Sequence, residues 1–255
     1  MRIATFNILH GRSVDDGRVD IARFSAAVKT LDADVLGLQE VDRNQPRSHG
    51  ADLTAVAAEA MGAVVSRFVP ALAGTPGGAW TPATGAEPAE GPGYGIALLS
   101  RYPVLSWRVV RLPAARVGVP MWLPGTRIPI VVRDEPRVAV AAVIEGPHGR
   151  WTVCTTHLSF VPGWNRRQLR RVMDALTGTV EPLILTGDLN MQRGPAARVS
   201  GLRPLTDEAT FPVARPTRQL DHVLVRGGIR ATGAAESLHL PLSDHRALVV
   251  PCGPA

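Results

Sequence analysis

The feature that most constrains this chain is a set of short apolar runs, each stopped by a polar residue able to do chemistry. In "PLILTGDLNM" (182–191), Leu183, Ile184 and Leu185 read as a strand buried on both faces. Asp188 and Asn190 follow at once. The pattern recurs along the chain. Asn7 interrupts "IATFNIL", Glu40 ends "VLGLQE" and His157 ends "VCTTH". Asp221 and His222 open "QLDHVLVRG", and Asp244 and His245 precede the last apolar run in "LPLSDHRALVV".

Any one of these residues has an ordinary structural explanation. A strand-end Asp or Asn caps a turn, Ser-Asp caps a helix, and a lone His sits satisfied in a core. Their joint occurrence points elsewhere, because in layered sheet folds adjacent strands end on one rim and sites are built there. The inventory is carboxylates, carboxamides and imidazoles. Hard oxygen donors such as Glu40 and Asp244 suit Mg²⁺ or Mn²⁺ held partly by water and substrate phosphate. Zinc would require several His or Cys at short spacing. A serine hydrolase would need a Gly-x-Ser-x-Gly elbow, and neither "GPHGRW" nor "GTPGG" ends as a Walker loop does.

The remaining segments alternate between strand and helix patterns. Strands are expected at 3–9, 33–40, 63–70, 94–100, 104–112, 137–145, 151–157, 183–188, 220–225 and 246–251. Helical spacing of apolar residues covers 19–31, with Asp16 as a cap, then 52–62 ending at Gly62, then 164–176 with arginines opposite the apolar face. Gly- and Pro-rich loops are expected at 73–93 and 113–136, and a loop-rich stretch runs to about 217. βα units mixed with hairpins imply a mixed sheet, and no flexible linker divides the chain, so residues 1–255 are expected to form one α/β domain.

Composition narrows the class. No run of apolar residues is long enough to span a membrane, "MRIATFNILHG" reads as a strand rather than a signal peptide, and Cys154 and Cys252 are too few for a disulfide framework. A cytoplasmic protein is expected. The net charge is +6, carried by arginine apart from Lys29, and suits a polyanionic partner, although the arginines are scattered along the sequence.

"FNI", "LQEVD", "YGIALLSRYP", "TTHL", "LTGDLN", "QLDHVLV" and "SDH" stand in the order seen in the endonuclease/exonuclease/phosphatase superfamily, which includes DNase I-like nucleases, and the chain resembles it from residue 3 to about 250. The resemblance implies a four-layer α/β sandwich, two packed mixed β-sheets flanked by helices. It implies that Glu40 is the principal metal-binding carboxylate, with Asn7 beside it and Asp244 a further acid. It makes His245 the catalytic imidazole, Asp221 the carboxylate orienting it, and His157 a second imidazole that stabilises the transition state. Asp188 and Asn190 correspond to the pair contacting the attacking water and the phosphoryl oxygens. Either Asp188 or His245 could take the water's proton, and His245 is the expected base.

His10 and Arg43 adjoin metal-site motifs and are candidates to touch phosphate, as is Tyr94. His222 replaces an aromatic of many relatives and reads as structural. The Glu that partners the second imidazole in DNase I-like enzymes has no clear counterpart; Glu87 and Glu90 lie in a loop. The expected activity is metal-dependent hydrolysis of a phosphate ester, either a small or lipid-derived phosphate or, alternatively, DNA or RNA. A non-catalytic binding module would lack some of these motifs. "LQEVDRNQPRS" resembles small bacterial hydrolases of the superfamily rather than abasic-site endonucleases, which carry Gln-Glu-Thr-Lys there. The loops 73–93 and 113–136 are expected to rim the cleft, and "VPMWLP" is expected to pack on its own Pro-rich insertion, with an apolar lid or lipid contact as the alternative.

Overall fold

The computed structural model describes residues 1–116, 118–121 and 130–255. The first half of the chain contains β1 (Arg2–Asn7), α1 (Ile21–Leu31), β2 (Val35–Arg43), α2 (Leu53–Met61), β3 (Val65–Gly74), β4 (Trp80–Pro82), β5 (Gly93–Ser100) and β6 (Val104–Leu112). Next come β7 (Gly118–Met121), β8 (Ile130–Arg133), β9 (Arg137–Gly146), β10 (Gly149–His157) and α3 (Trp164–Ala175). The last part comprises β11 (Leu183–Asp188), α4 (Arg193–Ser200), β12 (Arg203–Pro204), β13 (Asp221–Arg226), β14 (Ile229–Ala231), β15 (Glu236–Leu238) and β16 (Ala247–Pro254).

Among the described residues the strands form two large mixed sheets. One runs β14-β16-β1-β2-β5-β3-β4, with β15 also on β16; the other runs β12-β13-β11-β10-β9-β6. Each sheet has one parallel pair, β1 with β2 and β10 with β11, and the other pairings are antiparallel.

Side chains alternate across each strand, so every strand feeds two layers. Ile3, Val35, Ile96 and Leu98 meet Val140, Trp151, Val153 and Ile184 between the sheets. Phe6, Leu36, Leu38 and Leu99 pack outward on α1 and α2 through Phe24, Val28 and Leu53. Cys154, Leu183 and Leu185 pack on α3 and α4 through Leu169, Val172 and Ala196. The result is the expected α/β sandwich of two packed sheets flanked by helices. A fully buried Leu, Ile or Val contributes roughly 1.5–3 kcal/mol, which makes these three clusters the main source of stability.

Several local expectations are corrected. Helix α1 is capped by Asp20, whose carboxylate accepts from the Arg23 amide at 2.9 Å. Asp16 instead pairs with the Arg23 side chain at 2.7 Å. Helix α2 starts at the Asp52 cap and stops at Gly62, φ 67°, as expected. The 73–93 region is not all loop, because β3 runs on to Gly74 and β4 pairs with it. Within 113–136 β7 pairs antiparallel with β8, and the "VPMWLP" side chains lie outside the described residues. The stretch before 217 holds helix α4.

At the end of the sandwich that carries the strand-end polar residues, the two sheets are tied by hydrogen bonds. Gln39 Nε2 donates to Thr5 Oγ1 at 3.1 Å and to Thr155 Oγ1 on the opposite sheet at 3.0 Å. Gly37 permits that approach, since a Cβ there would lie 2.4 Å from Thr155 Oγ1.

Candidate active site

The site begins where the stripes between the sheets run out of apolar residues. On β1 the stripe is Ile3, Thr5, Asn7; on β10 it is Trp151, Val153, Thr155, His157; on β11 it is Ile184, Thr186, Asp188. His157 lies beside Asp188 in register, and Asp188 lies beside Asp221 at the start of β13. Glu40 is off the Val35, Gly37, Gln39 stripe and is presented differently. It sits at a β-bulge between Gln39 and Val41, in the left-handed region at φ 58°. Asp244 and His245 come from the turn before β16. Ser243 stitches that turn to β1, its Oγ donating to the Asn7 carbonyl at 2.6 Å and accepting from the His245 amide at 3.1 Å.

These side chains converge on a cavity of about 820 Å³, lined among others by Asn7, Glu40, His157, Asp188, Asn190, Asp244 and His245. Leu9, Phe160, Phe211 and Arg218 also line it. His245 Nδ1 is 2.8 Å from Asp221 Oδ2, which also accepts from Thr210 Oγ1 at 2.6 Å. The Phe211 ring rests on the imidazole, centroid to centroid 4.9 Å. On the other side His245 Nε2 faces Asp188 Oδ2 at 3.7 Å. Burial works against charging His245, but Asp221, Asp188 and Asp244 outweigh it and push the imidazole up to about 10.

Asp188 is the hub. Its Oδ1 accepts from the Asn190 amide at 2.9 Å, an Asx turn, and its Oδ2 accepts from Asn7 Nδ2 at 3.2 Å. Burial pushes its carboxyl up to about 7, against the pull of His245. Gly187 is required before it, because φ is 128° and a Cβ would fall 1.9 Å from the Thr156 carbonyl oxygen. Asn190 is locked in turn, its Nδ2 donating to the Leu158 carbonyl at 2.9 Å.

His157 has an unexpected partner. Arg137, only 7% exposed at the start of β9, donates through Nη1 to His157 Nδ1 at 3.1 Å. An imidazole that accepts from the arginine at Nδ1 carries its proton on Nε2; that atom is 3.5 Å from Asp188 Oδ2, with Asn190 Nδ2 at 3.3 Å. Burial, together with the charges of Arg137 and His245, holds His157 well below its ordinary pKa. The Nε of Arg137 has no hydrogen-bond partner among the described residues although it is buried. Sequence reading missed Arg137. A buried strand-initial arginine differs from its exposed counterparts only through tertiary contacts.

Not every candidate lies in the cavity. His10 is in the turn after β1, with burial and Arg47 holding its imidazole down to about 4. Arg43 lies over the Phe68 ring at 4.5 Å and lines a separate cleft. Tyr94 is behind the site, against a small hollow that Arg137 and His157 also line. His222 is structural as expected, buried with Nε2 donating to the Met191 carbonyl at 2.8 Å.

Among the described residues, atoms of Asp188, Asp221 and His245 lie within 4.8 Å of one another, close enough to surround an ion. Asp221 and His245 already satisfy each other, so this cluster reads as a proton relay. The oxygen donors left over fit a hard cation better. Among the described residues Glu40 accepts only from the neutral Asn7 amide, at 3.0 Å, and burial pushes its carboxyl up with Asp244 adding to the effect. A carboxylate so placed gains from a positive partner.

Two packed mixed sheets with flanking helices and a rim of acids, amides and imidazoles define the DNase I-like class of α/β sandwich. The chain belongs to the Endonuclease/Exonuclease/phosphatase family, whose pattern matches residues 4–245. Members of that family are phosphoester hydrolases and generally depend on divalent metals. The fold is similar to that of an endonuclease/exonuclease/phosphatase from Beutenbergia cavernae DSM 12333, with TM-score 0.72 and 24% identity over 100% of this chain and 72% of that one. It is also similar to the mannosyl-6-phosphatase Bt3783 of Bacteroides thetaiotaomicron VPI-5482, with TM-score 0.65 and 15% identity over 99% of each chain. Sphingomyelinase C from Streptomyces griseocarneus aligns with TM-score 0.63 and 16% identity over 98% of each chain. No curated protein matches the sequence. No helix among the described residues is long and apolar enough to cross a membrane.

Proposed function

We propose that this protein is a Mg²⁺- or Mn²⁺-dependent hydrolase of phosphate esters in which water attacks phosphorus in line with the leaving oxygen. The observation that carries the reading is the Asp221–His245 pair, 2.8 Å apart, facing Asp188 across the cavity on which Glu40 and His157 also open. Because both sheets contribute to that cavity, residues 1–255 act as one catalytic domain.

Asp221 accepts from Nδ1–H and so leaves Nε2 of His245 as the basic nitrogen, aimed at the water that Asp188 orients. The acids around the ring hold the imidazole up to about 10, so the neutral form that accepts the water's proton is the minor one at neutral pH, and turnover is expected to rise with pH toward that value. A positioned base contributes roughly 10²–10⁴-fold. His157 Nε2–H, kept in that tautomer by Arg137, and the Asn190 amide group face the phosphoryl oxygens, where charge develops. Arg137 adds a fixed positive charge behind them. Glu40 and Asp244, with Asn7 beside them, would hold the cation, which when bound neutralises the non-bridging oxygens and acidifies water.

The test is turnover of bis(p-nitrophenyl) phosphate with Mg²⁺ or Mn²⁺, with and without EDTA. Chelation is expected to abolish hydrolysis, readdition of metal to restore it, and His245→Ala to lower kcat by about 10³-fold. Unchanged turnover in His245→Ala with an intact fold removes the proposal.

A further inference from the structure

The arginines that the sequence scatters are gathered by the fold along one edge of the sandwich. A cleft of about 570 Å³ opens between β3, β6 and the loop before β5, and Arg43, Arg67 and Arg111 line it. Arg111 also lines a second cleft of about 330 Å³, together with Arg171 of α3 and Arg137. Arg137 in turn lines the catalytic cavity. Arg111 thus stands between the outer and the middle cleft, and Arg137 between the middle cleft and the catalytic cavity. Among the described residues no acidic side chain lines the middle cleft, and only Glu87 lines the outer one. That carboxylate closes its own turn, accepting from Thr84 Oγ1 at 2.9 Å and from the Gly85 amide at 2.8 Å.

The guanidinium groups of the outer cleft are held from behind. Arg43 lies on Phe68 and donates through Nε to the Gly91 carbonyl at 2.9 Å. Arg111 donates through Nη1 to the Ala83 carbonyl at 2.8 Å. Arg67 lies over Trp107, 5.5 Å from the ring centroid, and makes no hydrogen bond or ion pair among the described residues. Each is anchored by a ring face or a carbonyl and keeps other N–H groups for an outside acceptor. Arginine forks so fixed match the oxygens of a phosphate, and three cations facing one hollow repel one another until an anion enters.

We propose that this outer cleft is a second phosphate subsite, taking a phosphate group of the substrate other than the one being hydrolysed. The proposal rests on reading the central cavity as a phosphoester site. It makes the substrate class a multiply phosphorylated one, with the scissile ester beside His245 and a further phosphate among Arg43, Arg67 and Arg111. The phosphates can be spaced along a phosphodiester chain or crowded on a small ring, and the two sources are separable by experiment.

Binding is measured in excess Mg²⁺ by fluorescence anisotropy, with cleavage-resistant phosphorothioate oligothymidylates of roughly two and eight nucleotides. Inositol hexakisphosphate serves as the compact competitor. Arg67→Glu is expected to weaken the longer oligomer, the hexakisphosphate or both by about tenfold. The shorter oligomer should change by less than about twofold, and Arg67→Lys should restore most of the affinity. For the oligomer, the slope of log affinity against log salt should fall by about 0.7 for each phosphate that the variant no longer neutralises. Weakening with the oligomer assigns a chain substrate, and weakening with the hexakisphosphate alone assigns a compact one. Equal weakening of short and long oligomers, or no effect of Arg67→Glu on either probe, overturns the subsite. Bis(p-nitrophenyl) phosphate has a single phosphate, so its turnover reports on the central cavity separately from these binding results.

Discussion

Asp221→Asn is the sharpest perturbation of the proposed relay, because it is nearly isosteric and the surroundings of Asp221 decide what it does. Oδ2 accepts from His245 Nδ1 at 2.8 Å and from Thr210 Oγ1 at 2.6 Å. Oδ1 is buried and has no partner among the described residues. If the new amide turned its nitrogen to the Oδ1 position, a buried donor would be left unpaired at a cost of about 1–3 kcal/mol. If it turns its nitrogen toward His245, that nitrogen donates to Nδ1 and to the threonine oxygen, and only the single Thr210 O–H loses its acceptor instead of a whole amide NH2. The second orientation is therefore expected. It moves the proton of His245 to Nε2, the atom that must accept one from water. Losing a positioned base costs about 10²–10⁴-fold in kcat, or roughly 2.7–5.4 kcal/mol at 1.36 kcal/mol per decade. Steady-state kinetics on bis(p-nitrophenyl) phosphate should show that drop in kcat with little change in KM, and thermal melting should show a folded protein. On the His245→Ala background, Asp221→Asn should add almost nothing, because the two act as one unit. A kcat within about threefold of wild type, or full additivity in the double variant, refutes the relay.

Other expectations follow from the packing and charges of the same rim. Gly187→Ala places a methyl against the Thr156 carbonyl in a backbone region other residues avoid, and should destabilise the protein by more than about 3 kcal/mol in thermal or denaturant melts. Arg137→Gln removes the cation behind His157 and should lower kcat/KM by about 10²-fold, with Arg137→Lys recovering only part, because lysine lacks the guanidinium fork. Mg²⁺ or Mn²⁺ at about a hundredfold over Kd should stabilise the wild type by about 2.7 kcal/mol in melting experiments. Glu40→Gln should lose most of that stabilisation, and an equal shift in the variant would show that Glu40 does not hold the cation.

How much of the site is legible in the sequence depends on whether a side chain obeys the two-residue period of its strand. Asn7, His157 and Asp188 do, each continuing a stripe of residues that faces the opposite sheet. Asp221 does too, read backward from Val223 and Val225. For them, an apolar stripe ending in a polar residue is a local signal of a buried rim, and it survives without any knowledge of the partner sheet. Glu40 breaks the period. On a regular strand it would point with Leu36 and Leu38 into the helix layer, and only the bulge and the left-handed φ of 58° bring it to the cavity. Its motif identified it where periodicity could not.

Arg43 and His10 show the opposite limit, because closeness in sequence to a site motif is not closeness in space. Arg43 lies three residues beyond Glu40, yet it leaves β2 toward the outer cleft. Arg137 shows why the last piece had to come from the fold. One arginine in a chain rich in them carries no local mark of importance. What distinguishes Arg137 is burial to 7% exposure and a 3.1 Å approach to an imidazole twenty residues further along the chain. A buried cation needs a reason to be there, since desolvating it costs several kcal/mol unless charge or hydrogen bonds compensate. With Nε unpartnered and Glu135 no closer than 3.9 Å, the described residues supply only part of that compensation. The cavity that Arg137 lines is where the rest would come from, and an oxyanion is the ligand that supplies it.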